Sequence, residues 1–148
     1  MSQNLLFVDD DSGDIQLTLL GFRLQKFEPQ VVLAKDGKEA LDILISDCED
    51  SRPLPLAILT DIKMPRMDGL ELLRRVRSEP RLRAIPIAIL TSSDHEADRK
   101  EAMRLGANYY FMKPSDLDAY AEIVSRIREL MGAGSMSEAG KDGRQPSP

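Results

Sequence analysis

One cysteine, one histidine and no tryptophan occur in these 148 residues. A lone cysteine, Cys48, cannot build a disulfide framework within the chain, which fits a reducing compartment. Cys48 lies in a polar stretch with no histidine near it in sequence, which argues against a nucleophile. His95 has no second His or Cys beside it to form a zinc or transition-metal site, so it reads as a solvated residue in the first turn of a helix. Basic charge is also in deficit: 20 Lys and Arg against 25 Asp and Glu give a net charge of −5, which speaks against a nucleic-acid surface. No apolar run approaches the ~18 residues of a transmembrane helix. The start, "MSQNLLFVDDD", lacks the basic region and long apolar stretch of a signal peptide. The expectation is a cytoplasmic protein.

What is present is enough apolar material (42%) for one core. Short apolar runs alternate with amphipathic ones. Strands are expected at 5–8, 30–34, 56–60, 85–90 and 108–112, and helices at 15–26, 37–45, 68–78, 94–106 and 115–131. Asp68 opens the third helix and Gly106 stops the fourth. Ser115 is the expected cap of the fifth, with Asp118 as its capping-box partner. The polar, Pro-containing stretch 46–55 reads as a loop. Strand–helix repeats of this kind give an α/β fold, a doubly wound (βα)5 parallel sheet with helices on both faces. The strands read as near-continuous apolar runs, as expected when both faces are covered. Residues 132–148, rich in Gly, Ser and Pro, read as a disordered tail.

In such a sheet ligands bind beyond the carboxyl ends of the strands. With the common strand order 2-1-3-4-5, Asp9 and Asp10, Asp61, Thr91 and Lys113 all end at one crevice. Clustered carboxylates need compensation, which Mg²⁺ with oxygen ligands supplies. A hydroxyl and an ammonium beside them provide donors for an anion's oxygens. Together these groups make a phosphoryl-transfer site.

The segments "FVDDD", "LTDIKMPRMDG", "AILTSSD" and "GANYYFMKP", in this order and spacing, closely resemble the receiver domain of two-component response regulators over about residues 4–131. The resemblance implies a flavodoxin-like fold. It implies Asp61 as acceptor of a phosphoryl group from a sensor histidine kinase, and Mg²⁺ held by Asp10, Asp61 and the Lys63 backbone carbonyl, with Asp9 acting through water or on Lys113. Thr91 and Lys113 would contact the phosphoryl group, and Tyr110 sits at the family's switch aromatic. Switching would alter the face formed by the fourth helix, fifth strand and fifth helix. The Lys113–Pro114 bond would be cis, and Lys63 and Ser93 would influence the lifetime of the acyl phosphate. The segment "DSGDIQLTL" resembles the single-domain regulators that partner bacterial phytochrome kinases. No DNA-binding output domain fits in the chain, so the signal would leave by protein contact: a homodimer, an effector, or a phosphotransfer partner.

Several residues have plainer readings. Asp11 caps the first helix, or with Asp14 complements its N-terminus. The basic run "RRVRSEPRLR" is a solvated helix face and loop. An EF-hand reading of "DDDSGD" fails, because the loop Gly falls one place early and the twelfth position is Leu20. Two rival functions are defined. "LLFVDDDS" also resembles the first motif of haloacid-dehalogenase-type phosphatases, with Asp9 as nucleophile and Asp11 as acid/base. That family needs an acidic pair after a further strand, and the rival leaves "TDIKMPRMDG" unused. A receiver-like binding module that is never phosphorylated would be expected to lack one of the acidic residues, the Thr or the Lys. All are here.

Overall fold

A computed structural model describes the backbone of residues 4–140 and the side chains of 4–132. The elements run β1 Asn4–Val8, α1 Ser12–Leu24, β2 Gln30–Ala34, α2 Gly37–Glu49, β3 Ala57–Thr60, α3 Gly69–Ser78, β4 Ile87–Thr91, α4 Glu96–Leu105, β5 Tyr109–Met112 and α5 Tyr120–Gly140. The five strands form one parallel sheet in the order β2-β1-β3-β4-β5. This is the expected doubly wound, flavodoxin-like architecture.

Alternation along β1 divides the core. Leu6 and Val8 face the side packed by Leu44, Leu72, Leu73 and Val76 of α2 and α3. Leu5 and Phe7 face Phe22 of α1 and Ile123, Val124 and Ile127 of α5. The strands in the middle of the sheet are therefore covered on both faces, and every position of β3 and β4 is buried. The edges differ from expectation. Leu33 of β2 is 48% exposed and Met112 of β5 is 46% exposed, because an edge strand has helix cover over only part of its width.

Other boundaries also move. Helix α2 continues through Glu49, four residues beyond the expected stop at Ile45. Leu41, Leu44, Ile45 and Cys48 fall at helical spacing and pack on the core, so Cys48 is a half-buried helix residue rather than a loop residue. Arg52 gathers Asp47, Asp50 and Ser46 over the helix end. The fifth helix starts late. Asp116, not Ser115, accepts the Ala119 N–H at 3.1 Å and caps a short 3-10 turn, Leu117–Ala119, that leads into Tyr120. Its backbone runs through Gly140, past the expected end at 131, since a formed helix adds residues without a new nucleation cost, even through Gly132 and Gly134. Residues 141–148 of the expected tail lie outside the described residues. There is no cis peptide bond among the described residues. The Lys113–Pro114 bond is thus trans, the form that X–Pro bonds favour by about 0.5–1 kcal/mol. No helix among the described residues is long and apolar enough to cross a membrane.

The basic run is not wholly solvated. Arg77, at the end of α3, turns inward and donates to the carbonyls of Gly106 (3.0 Å), Arg83 (2.9 Å) and Ile85 (2.7 Å), and to Asn108 Oδ1 (3.1 Å). It ties α3 to the α4–β5 turn. Gly106 takes φ +106° there, a left-handed conformation that favours glycine, and a Cβ would press on the Arg77 side chain at 2.9 Å.

Candidate phosphoryl-transfer site

The Asp9 amide donates to Ala34 O and the Asp61 amide to Val8 O, continuing the sheet's ladder by one residue past β1 and β3. Both side chains thereby lie at the carboxyl edge, and both are buried. Asp9 Oδ1 accepts the Asp11 N–H at 3.0 Å. Asp10, its neighbour, is exposed. Asp11 is the helix cap: its Oδ1 accepts the Asp14 N–H at 2.9 Å.

Asp61 is held from both sides. Its Oδ1 accepts the Ile62 N–H at 2.6 Å and its Oδ2 accepts Lys113 Nζ at 2.6 Å. The Thr60 hydroxyl donates to the Asp61 carbonyl at 2.8 Å. The following loop folds back tightly, with the Gly69 N–H on Ile62 O at 2.8 Å. Gly69 is required there: a Cβ would sit on the Asp61 carbonyl oxygen, 2.9 Å from Asp61 C and 3.0 Å from Ile62 Cα. Buried Asp36, the cap of α2, pins the same loop through an ion pair with Arg66 at 2.9 Å. Arg66 has φ +66°, a conformation that costs a non-glycine residue ~1 kcal/mol or more and persists when its surroundings hold it. Lys63 lies exposed on this loop.

Lys113 follows β5, and its amide donates to Thr91 O at 2.8 Å. Its ammonium meets three carboxylates: Asp9 at 3.0 Å, Asp14 at 2.7 Å and Asp61 at 2.6 Å. Burial opposes its charge, but the hydrogen bonds to Asp14, Asp61 and Asp9 outweigh burial and carry its pKa well above the lysine range. For Asp9 the balance is reversed. Burial raises its carboxyl above the usual range despite the Asp11 N–H and Lys113, so the negative charge there is under-compensated.

Thr91 is buried, and its Oγ1 accepts the Ser93 N–H at 3.2 Å. Ser93 Oγ donates to Asp98 Oδ2 at 2.6 Å, fastening the start of α4. His95, the cap residue of α4, makes no side-chain capping bond. The Tyr110 hydroxyl donates to Ser93 O at 3.2 Å. Burial, the larger influence, pushes that hydroxyl's pKa up despite this bond, so it stays protonated as a donor.

Asp9, Asp61, Thr91 and Lys113 therefore meet at one crevice, with Tyr110 linked to Thr91 through Ser93. Asp10 and Lys63 stand exposed at its rim. Sequence reasoning gave Asp14 only a helix-end role, yet it is a direct partner of Lys113. The signal was available: Asp14 lies three residues after the cap Asp11, on the first turn of a helix that starts at the crevice. Oxygen atoms of Asp9, Asp14 and Asp61 come within 4.8 Å of one another. Lys113 sits among these three; the two buried ones, Asp9 and Asp61, with an under-compensated charge on Asp9, fit a hard divalent cation with oxygen ligands.

The sequence profile of the response regulator receiver domain matches residues 5–125. The chain belongs to the response regulator receiver domain family. It is similar to the probable methanogenesis regulatory protein FilR2 of Methanothrix harundinacea, at 33% identity over 125 residues, 84% of this chain and 81% of that one. Among solved structures it is similar to the phosphorylated cyanobacterial phytochrome response regulator RcpA (TM-score 0.76, 30% identity, 90% of this chain and 96% of that one). It is also similar to the bacteriophytochrome response regulator RtBRR (TM-score 0.73, 37% identity, 88% and 78%). The fold and family are those of a signalling domain, close to the phytochrome response regulators. Receiver domains hold Mg²⁺ or Mn²⁺ at an acidic cluster of the kind seen here. The phosphatase alternative fails on the family match, and its would-be acid/base, Asp11, is committed to capping α1.

Proposed function

We propose that this chain is a phosphoryl-accepting response regulator in which Asp61 takes a phosphoryl group from a phosphohistidine of a sensor kinase. The observation that carries the reading is the setting of Asp61. Its carboxylate is fixed by the Ile62 N–H and by Lys113, at a crevice edge shared with Asp9 and Thr91. An Asp61 oxygen forms a bond to phosphorus while the bond from phosphorus to the histidine nitrogen breaks. The electron pair returns to the imidazole, which takes up a proton and leaves neutral. Lys113 Nζ then donates to a phosphoryl oxygen, and Thr91 Oγ1 donates to another. Mg²⁺, when bound, neutralises developing charge on the phosphoryl oxygens. Asp10, Asp61 and the Lys63 carbonyl would hold it, with Asp9 acting through water. Attack of water on the acyl phosphate returns Asp61 and releases phosphate, a slow self-hydrolysis and the only turnover we assign.

Thr91 is bonded to the Ser93 amide and Tyr110 to the Ser93 carbonyl. Motion of Thr91 toward a phosphoryl group therefore loads the segment that holds Tyr110, and shifts the α4–β5–α5 face between two populations. Met103 and Met112 are exposed on α4 and β5, and Tyr109 stacks on Phe111 with ring centroids 5.6 Å apart. This surface suits a homodimer, or contact with an effector or a phosphotransfer partner. The likeness to RcpA and RtBRR supports a kinase of phytochrome type, acting in the cytoplasm where ATP charges its histidine. The test is intact mass after incubation with acetyl phosphate and Mg²⁺. The chain should gain one phosphoryl group, Asp61→Asn should gain none, and Asp9→Asn should label in part. Labelling of Asp61→Asn equal to that of the parent chain would overturn the reading.

A further inference from the structure

Asp14 contacts Lys113 at 2.7 Å, and phosphoryl transfer as set out above gives this carboxylate no role. Resting on the reading of Asp61 as phosphoacceptor, we propose that Asp14 is a positioning residue that holds Lys113 and limits its grip on phosphoryl groups. A lysine ammonium has three N–H donors, and Asp9, Asp14 and Asp61 occupy all three. Two of these partners change in the reaction. Asp61 loses its charge on becoming an acyl phosphate, and Asp9 is shared with the cation. Asp14 alone keeps its full charge for Lys113 throughout.

The placement of Asp14 is fixed by the fold. Its amide is held by the Asp11 cap. One turn further along, Thr18 and Tyr120 share a buried hydroxyl–hydroxyl bond of 3.0 Å. The Tyr120 ring fills the space over Gly21, where a Cβ would overlap it. These contacts lock α1 against α5, so Asp14 stays beside the end of β5. Two consequences follow for an incoming phosphodonor. One donor of Lys113 is withheld from its oxygens, and one unit of negative charge repels it.

Removing that charge while keeping an oxygen acceptor, as in Asp14→Asn, frees the ammonium. The half-saturating concentration of acetyl phosphate should fall about three- to tenfold, the factor for deleting a unit charge roughly 6 Å from the phosphoryl group at an effective dielectric of 40–80. The maximal labelling rate should change less. Asp14→Glu should restore the parent value. Asp11→Asn removes the same charge from the same helix turn but keeps a capping oxygen and does not touch Lys113, so it should leave the value unchanged. An unchanged or higher half-saturation in Asp14→Asn would overturn the proposal, as would an equal fall in Asp11→Asn. Asp61→Asn separates the two levels. If it labels like the parent chain, the phosphoacceptor reading fails and this proposal fails with it. If it is silent while Asp14→Asn behaves as the parent, only the role of Asp14 fails.

Discussion

Gly69→Ala tests whether the tight return after β3 sets the position of the phosphoacceptor. Gly69 has no side chain, and its amide closes on Ile62 O at 2.8 Å. An added Cβ would overlap the Asp61 carbonyl oxygen and crowd Asp61 C at 2.9 Å and Ile62 Cα at 3.0 Å. The obstructing atoms are backbone, so no rotamer change relieves them. Restoring ordinary contact demands a displacement of roughly 1 Å or more of the Asp61–Ile62 peptide. Inserting one carbon into a tight site costs about 1–3 kcal/mol, and a displacement of that size at a reacting group costs on the order of 10²-fold in rate. The expected outcome is a folded variant with a urea midpoint lowered by that free energy and acetyl-phosphate labelling slowed about a hundredfold. Circular dichroism and intact mass over time check both. A variant that labels at the parent rate would show that the Gly69 contact does not govern the placement of Asp61.

Two further outcomes are expected. Because burial raises the Asp9 carboxyl, its charged form is penalised in the fold, and as pH falls through that raised value Asp9 takes a proton that the cation must displace. Mg²⁺ affinity should therefore weaken toward about tenfold per pH unit below it, and Asp9→Asn should flatten the slope; isothermal titration at several pH values reads this, and a pH-independent affinity would contradict it. Arg77→Ala removes donors from the carbonyls of Gly106, Arg83 and Ile85 and should cost about 2–3 kcal/mol, with Arg77→Lys recovering less than half because an ammonium lacks the planar fork. Loss of less than half a kilocalorie on denaturant unfolding would refute the clamp.

The sheet order and the crevice were legible because they follow from period and sequence order. Leu6 and Val8 alternate with Leu5 and Phe7, the helices between them carry apolar stripes, and parallel crossovers then bring Asp9, Asp61, Thr91 and Lys113 to one edge. Three things were not legible, each because a side chain answers to a neighbour distant in sequence. Arg77 looks like one more surface cation until Gly106 and Asn108 are folded beside it. Asp14 looks like a helix-end acid until Lys113, 99 residues away, arrives at 2.7 Å. Cys48 sits in a polar run, and only the packing of Leu44 and Ile45 shows that α2 continues through it. The start of α5 was misplaced by local chemistry, since Ser115 and Asp116 are both competent caps and the structure uses the second.

The most direct measurement of the central claim is the location of the acyl phosphate. After labelling with acetyl phosphate and Mg²⁺, borohydride reduction converts a phosphorylated aspartate to homoserine, and peptide mass spectrometry finds the changed residue. The account predicts homoserine at position 61 and nowhere among positions 9, 10, 11 and 14. Homoserine at position 9, with position 61 unchanged, would contradict it.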